Sequence, residues 1–256
     1  DFSIFRVYAG EDNEPAAYSE KNVPFRPKKF FKINARGIKE GDFTMVYGFP
    51  GSTREYLFSD AVKYNAYTSN PHKIALRTLR LNIQKEEMNK DQAVRIKYAS
   101  KQAGVANAWK KWQGEAKGLI KNNAVANKQA FEAKFDQWAE GKPEYENLVE
   151  RFKELYGSIE ELSLVQDYQS EALNAVEIIS FAGRGQRGAE RFYKDYYMPI
   201  DKASFIALYN AYNKNIADQY KSPYFKEQLQ KFGSIEAWAD ALFTEKPNLE
   251  MAAEIY

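Results

Sequence analysis

From Ser52 onward the sequence carries a helical pattern that prolines and glycines interrupt at intervals. Apolar side chains recur at helical spacing, for example at Leu162, Val165 and Ala172. The prolines fall where first turns of helices tolerate them. The pattern predicts an all-α region with helices at 53–69, 71–89, 91–121, 123–140, 143–156, 158–182, 186–196, 200–221 and 234–244.

Residues 1–50 have a different character. The runs Phe2–Tyr8 and Phe43–Phe49 are rich in aromatic and branched residues, and turn-forming residues lie between them. Two strands do not form a stable sheet alone, so we expect further partners in flanking sequence or on the helices. The predicted fold is therefore mainly α, a helical domain at 53–256 preceded by a short β segment at 1–52.

Local signals predict three helix boundaries. Ser52 and Glu55 have the spacing of a capping box at the start of the first helix. Gly157-Ser158 and Gly233-Ser234 each combine a glycine that can end a helix with a serine that can cap the next one. Both pairs predict a corner between two helices.

Composition limits the possible chemistry. The chain has no cysteine and one histidine, His72, which excludes disulfides, thiolate catalysis and metal sites built from several histidines. No run is long and apolar enough for a membrane span, and the first residues do not form a signal peptide. The abrupt start at Asp1 leads us to expect a segment of a longer protein.

Charge is unevenly distributed. Residues 72–134 contain 14 Lys and Arg against 5 Asp and Glu, so this segment carries +9 and the remainder −7. With Tyr98, Trp109 and Trp112 it could form a binding surface for an anionic partner such as a single-stranded nucleic acid. The alternative is a solvated helix face over an aromatic core.

His72 is the only imidazole in the chain that could take part in acid–base chemistry. Ser52, Asp60 and Ser69 are conceivable partners, but a triad depends on geometry that sequence does not give. A surface or capping histidine is the alternative. Ser52 does not lie in a Gly-x-Ser-x-Gly elbow.

Three stretches carry a resemblance to a known family. They are Asp-Phe-Ser-Ile-Phe-Arg-Val-Tyr at 1–8, Asp-Phe-Thr-Met-Val-Tyr-Gly-Phe-Pro-Gly-Ser-Thr at 42–53, and Lys-Tyr-Ala-Ser-Lys at 97–101 running on to Asn-Ala-Trp-Lys at 107–110. Together they resemble the bacterial serine dipeptidyl peptidases related to dipeptidyl peptidases 7 and 11. The resemblance covers residues 1 to about 125.

The resemblance implies a chymotrypsin-like double β-barrel with a helical domain inserted between the barrels. Residues 1–52 would be the last part of the first barrel, and 53–256 an incomplete helical domain that caps the cleft. It implies that Asp1 is the triad aspartate. The family's histidine motif and its Gly-Asn-Ser-Gly-Ser motif do not occur in this chain, so we expect the isolated chain to be inactive.

Asn107 matches a family residue that helps to bind the ammonium group at the substrate's N-terminus, and Ala108 follows where relatives often have an aromatic residue. The resemblance further implies oligopeptide substrates, the remainder of the peptidase domain as partner, and a periplasmic or cell-surface location. The parent could be a homodimer. We expect no cofactor, metal, nucleic acid or membrane partner, and the dipeptide specificity stays open.

Overall fold

The computed structural model describes residues 4–45, 47–49, 51–183, 192 and 194–244. It divides into two compact units, Asp1–Thr53 and Arg54–Tyr256. The predicted fold class is confirmed, since the described chain is mostly helical with a short two-stranded sheet.

The first unit contains a small antiparallel ladder. Strand β1, Tyr8–Ala9, pairs with β2, Val23–Pro24, so that Tyr8 lies opposite Pro24. Asn13 holds the turn by accepting a hydrogen bond from the backbone N–H of Arg26 at 2.7 Å. The predicted strand at 43–49 is wrong over its described residues, which have no strand neighbour and stay irregular, as strands without a partner do.

The second unit consists of helices. Their bounds are α1 Ser59–Tyr64, α2 Asn70–Lys90, α3 Gln92–Lys121, α4 Ala124–Ala139, α5 Leu148–Tyr168, α6 Glu177–Ala182, α7 Met198–Asn215, α8 Pro223–Phe232 and α9 Ile235–Leu242. A π-turn at Asn65–Ser69 joins α1 to α2, another at Gln169–Leu173 extends α5, and a 3-10 turn lies at Asp218–Tyr220. The helix predicted at 186–196 lies largely outside the described residues.

The corner at Gly233 is confirmed, and the corner at Gly157 is wrong. Gly233 has φ 77° and ends α8, while Ser234 caps α9 by accepting from Ala237 N–H. Gly157 instead lies inside the continuous helix α5. A glycine there costs only about 0.5–1 kcal/mol relative to alanine, and packing along α5 outweighs it.

The first helix begins later than the capping box predicts. Helix α1 starts at Ser59, whose N–H and hydroxyl both donate to the buried carboxylate of Glu132 at 2.6 Å. A residue distant in sequence therefore supplies the cap instead of Ser52 and Glu55.

The core lies among α2, the C-terminal part of α5, and α6–α9. Phe205 stacks on Tyr209 with ring centroids 3.9 Å apart, and Trp238 meets both edge-on. Buried Asp201 on α7 accepts from the N–H groups of Glu177 at 2.6 Å and Ile178 at 2.8 Å. This carboxylate caps the first turn of α6 and ties it to α7.

Candidate functional site

Asn107 lies in the middle of α3 on its exposed side. Its amide makes no hydrogen bond with any part of the chain that the structure describes. An interhelical hydrogen bond from this side chain is therefore excluded over those residues. The amide is available to a ligand. Asp1, the predicted triad residue, lies outside the described residues.

The backbone of α3 beside Asn107 is fixed by α2. Arg77 donates to the carbonyl oxygens of Val105 at 3.0 Å and Gly104 at 3.4 Å. The same guanidinium binds Glu171 in a bidentate pair, at 2.8 and 2.9 Å. A rigid fork of this kind holds α3, α2 and the π-turn after α5 in one arrangement.

Two tryptophans strengthen the same contact. Trp109 donates its indole N–H to the hydroxyl of Thr78 at 2.9 Å. The ring of Trp112 lies under Arg77, at 4.5 Å, and Lys73, at 4.8 Å. Contacts before and after Asn107 therefore hold this segment of α3 in place. A residue that positions a substrate requires such support.

Small and basic side chains surround Asn107 on the exposed face of α3. Gly104 and Gly114 leave open space beside the helix, because nothing lies within 4 Å of where their side chains would begin. Helix α3 contains seven Lys or Arg and one acidic residue, Glu115. Among the basic residues, Lys110 and Lys117 are exposed. The exposed face of α3 thus combines open space for a ligand, the neutral amide of Asn107 and positive charge.

A second feature, the charged cleft, lies on the opposite side of α3. Its volume is about 630 Å³, and its charged lining comes from α2, α3, the π-turn, α6 and the segment before α7: Arg77, Arg80, Lys101, Glu171, Glu177 and Asp195. Val105 faces this cleft, and Asn107, two residues on, points roughly 200° away around the helix. Lys101 pairs with Glu177 at 2.6 Å.

Sequence reasoning missed these ion pairs. Arg77 and Glu171 are 94 positions apart, and Lys101 and Glu177 are 76 apart. The sequence signal that could have indicated them is the surplus of basic residues on α2 and α3, because a buried Lys or Arg needs a paired charge.

His72 is not part of a triad within the described residues. Its Nδ1 lies 2.8 Å from the hydroxyl of Tyr168. Burial lowers the pKa of His72, against the opposing effect of Asp167. The imidazole therefore belongs to a packed contact between α2 and α5 and has no serine partner there.

The described residues do not include a cluster of three or more His, Cys, Asp or Glu side chains that could hold a metal ion. Within the same residues, no helix has the length and apolar character that crossing a membrane requires.

Comparison with known proteins gives a consistent result. A family model described as Peptidase S46 matches residues 1–252. The Asp/Glu-specific dipeptidyl-peptidase of Capnocytophaga gingivalis is 48% identical over 188 residues, covering 72% of this chain and 26% of that protein. The corresponding enzyme of Flavobacterium psychrophilum is 42% identical over 238 residues, covering 82% and 33%. Dipeptidyl-peptidase 7 of Porphyromonas gingivalis is 34% identical over 262 residues, covering 95% and 37%.

Solved structures match over nearly the whole chain. The crystal structure of Porphyromonas endodontalis DPP11 with the dipeptide Arg-Asp superposes with a TM-score of 0.69 at 26% identity, covering 97% of this chain and 39% of that one. The chain spans between 26% and 39% of the length of these four proteins.

Proposed function

This chain belongs to the peptidase S46 family, and from that premise we propose that it forms the helical part of a serine dipeptidyl peptidase that releases dipeptides from peptide N-termini. The observation that carries the proposal is Asn107, an exposed amide without an internal partner among the described residues, held on a braced helix. The sequence around it resembles the family segment for which the resemblance implies contact with the substrate's N-terminus.

Asn107 supplies an acceptor for the α-ammonium group of the substrate. Releasing two residues requires that this ammonium be held at a fixed distance from the nucleophile. The amide oxygen of Asn107 accepts a hydrogen bond from one of the ammonium's N–H groups, a charge-assisted bond worth about 1.5–3 kcal/mol. Since Arg77 and Trp109 fix the helix backbone nearby, little ordering is needed when the substrate binds.

Asp1 has the triad role in this proposal. It would accept a hydrogen bond from the catalytic histidine, fix its tautomer and stabilise the imidazolium that forms. The family histidine and serine motifs do not occur in the 256 residues, so we assign both residues to the rest of the peptidase. The family resemblance also supports a periplasmic or cell-surface location.

The basic face of α3 favours substrates with acidic residues. Exposed lysines on this helix raise the local concentration of anionic peptides and speed their association. Two of the relatives are named Asp/Glu-specific, which fits this preference. Acidic peptides should therefore lose kcat/KM with rising salt more steeply than neutral ones.

The test is Asn107→Ala in the complete peptidase. We expect kcat/KM to fall about ten- to a hundredfold for dipeptidyl substrates with a free amine, because one charge-assisted bond is lost. The melting temperature should stay nearly unchanged, since the side chain is exposed. Ser100→Ala, also on the exposed side of α3, is the matched control.

An unchanged kcat/KM in Asn107→Ala would place the ammonium site elsewhere. So would an activity loss that only follows a loss of folded protein.

A further inference from the structure

Within the part of the chain that the structure describes, the charged cleft contains a cation that forms no ion pair with the carboxylates of the cleft. Arg77 is paired with Glu171, and Lys101 with Glu177. Arg80 lines the same cleft but makes no hydrogen bond or ion pair with any residue in the described ranges. An arginine does not deprotonate in proteins, so its N–H donors need acceptors from solvent or from a ligand.

The surroundings of Arg80 make water a poor partner. Burial lowers the pKa of the Arg80 guanidinium, although Glu171 and other nearby carboxylates act in the opposite direction. A partly dehydrated guanidinium gains more from an anion than an exposed one does, because the local dielectric is lower.

Gln84 adds a second unmet group on the same wall. It lies one helical turn after Arg80, on the same face of α2, and also lines the cleft. Its side chain is 4% exposed, and its amide oxygen has no donor among the described residues. A buried acceptor of this kind requires an N–H or O–H donor.

We propose that the charged cleft binds a peptide through a carboxylate and a neighbouring N–H group. The guanidinium of Arg80 donates to the carboxylate, and the amide oxygen of Gln84 accepts from the peptide N–H. This chemistry occurs at the C-terminal residue of a short peptide and at an aspartyl or glutamyl residue. This site is separate from Asn107, which lies on the opposite side of α3 and for which we propose binding of an ammonium group. The cleft site therefore extends the proposed function but does not depend on it.

Titration of the 256-residue chain, followed by NMR or calorimetry, tests the site. The probes are N-acetyl-Ala-Ala, its C-terminal amide, N-acetyl-aspartyl amide and acetate. We expect saturable binding of the two peptides that carry a carboxylate and at least about tenfold weaker binding of N-acetyl-Ala-Ala amide. The stronger of the two carboxylate probes identifies the source of the carboxylate.

Variants assign the two contacts. Arg80→Met should weaken the carboxylate probes about ten- to a hundredfold. Arg151→Met, an exposed arginine on α5, removes the same charge outside the cleft and should leave binding unchanged. Arg80→Lys keeps the charge without the bidentate fork and should bind with intermediate affinity. It also serves as the test variant if Arg80→Met does not fold.

Gln84→Leu separates a ligand contact from a structural role. The leucine removes an unmet buried acceptor, so the ligand-free chain should melt at a higher temperature, by roughly 2–4 °C. Its affinity for N-acetyl-Ala-Ala should fall while that for acetate, which has no N–H, stays the same.

Three results would overturn the proposal. They are no saturation by either carboxylate probe, binding of N-acetyl-Ala-Ala amide that is as tight as that of the stronger carboxylate probe, and wild-type affinity in the folded Arg80 variants.

Discussion

Arg77 connects three helical segments through one side chain. Its bidentate pair with Glu171 satisfies a carboxylate that is 12% exposed, and its third donor reaches the backbone of α3. The sequence predicts the helices that carry these residues, but it does not predict the pairing. Side chains 94 positions apart meet only after the helices have packed, and helical periodicity contains no information on that distance.

Asp201 should make stability depend on pH. Burial raises its pKa from an ordinary 3.8 to about 7, with the carboxylate of Glu177 contributing. The folded state therefore holds this proton more tightly than the unfolded state. The stability that this proton contributes is complete below about pH 4 and is lost as pH rises to about 7.

Asp201→Asn removes this titration. The melting temperature of the wild type should fall between about pH 5 and pH 8 by more than that of the variant. Thermal melts of both proteins at each pH measure the difference. A wild type that gains stability over this range relative to the variant would mean that the two backbone donors to Asp201 dominate over burial.

Asp1→Asn in the complete peptidase tests the triad assignment. The amide does not stabilise the imidazolium, so kcat should fall by orders of magnitude, on the order of ten-thousandfold in the serine-protease precedent. Steady-state kinetics and circular dichroism separate this effect from misfolding. A loss below about tenfold would remove Asp1 from the triad.

At the scale of elements, a helix boundary could be predicted from sequence where local signals set it, and not where a contact distant in sequence sets it. The corner at Gly233-Ser234 was predictable because both signals act locally, through a positive φ and a side-chain cap. The start of α1 was not, because its cap comes from Glu132 on α4. Gly157 begins the same Gly-Ser-Ile-Glu sequence as Gly233 but lies inside α5. Packing of α5 keeps the helix continuous there, and the stacked pair Phe58–Phe152, with ring centroids 4.1 Å apart, contributes to it.

Residues 54–256 should fold without residues 1–53. Both clusters of buried apolar side chains lie within this unit, and the cap of α1 is also internal. Circular dichroism of the shortened chain should show a cooperative, helix-dominated melt. As a control, Phe205→Ala empties a fully buried site and should destabilise the unit by about 3–5 kcal/mol. A broad, non-cooperative melt of the shortened chain would contradict the prediction.

At the scale of the whole molecule, the described residues contain two candidate binding features. The described residues provide a braced helix with an exposed amide, and the charged cleft behind it. Asn107 could be proposed from sequence because its neighbours resemble a family segment. The cleft could not, because its residues are dispersed over four helical elements and the segment before α7.

The 256-residue chain should hydrolyse no dipeptidyl substrate by itself. Acyl transfer needs a nucleophile activated by a base, and the only histidine, His72, is engaged with Tyr168. Burial lowers its pKa, and no serine motif of the family accompanies it. Incubation with a panel of dipeptidyl chromogenic substrates should therefore give no turnover above the background of a His72→Ala variant prepared in parallel. Turnover that this substitution abolishes in a folded chain would mean that the chain contains a catalytic site of its own.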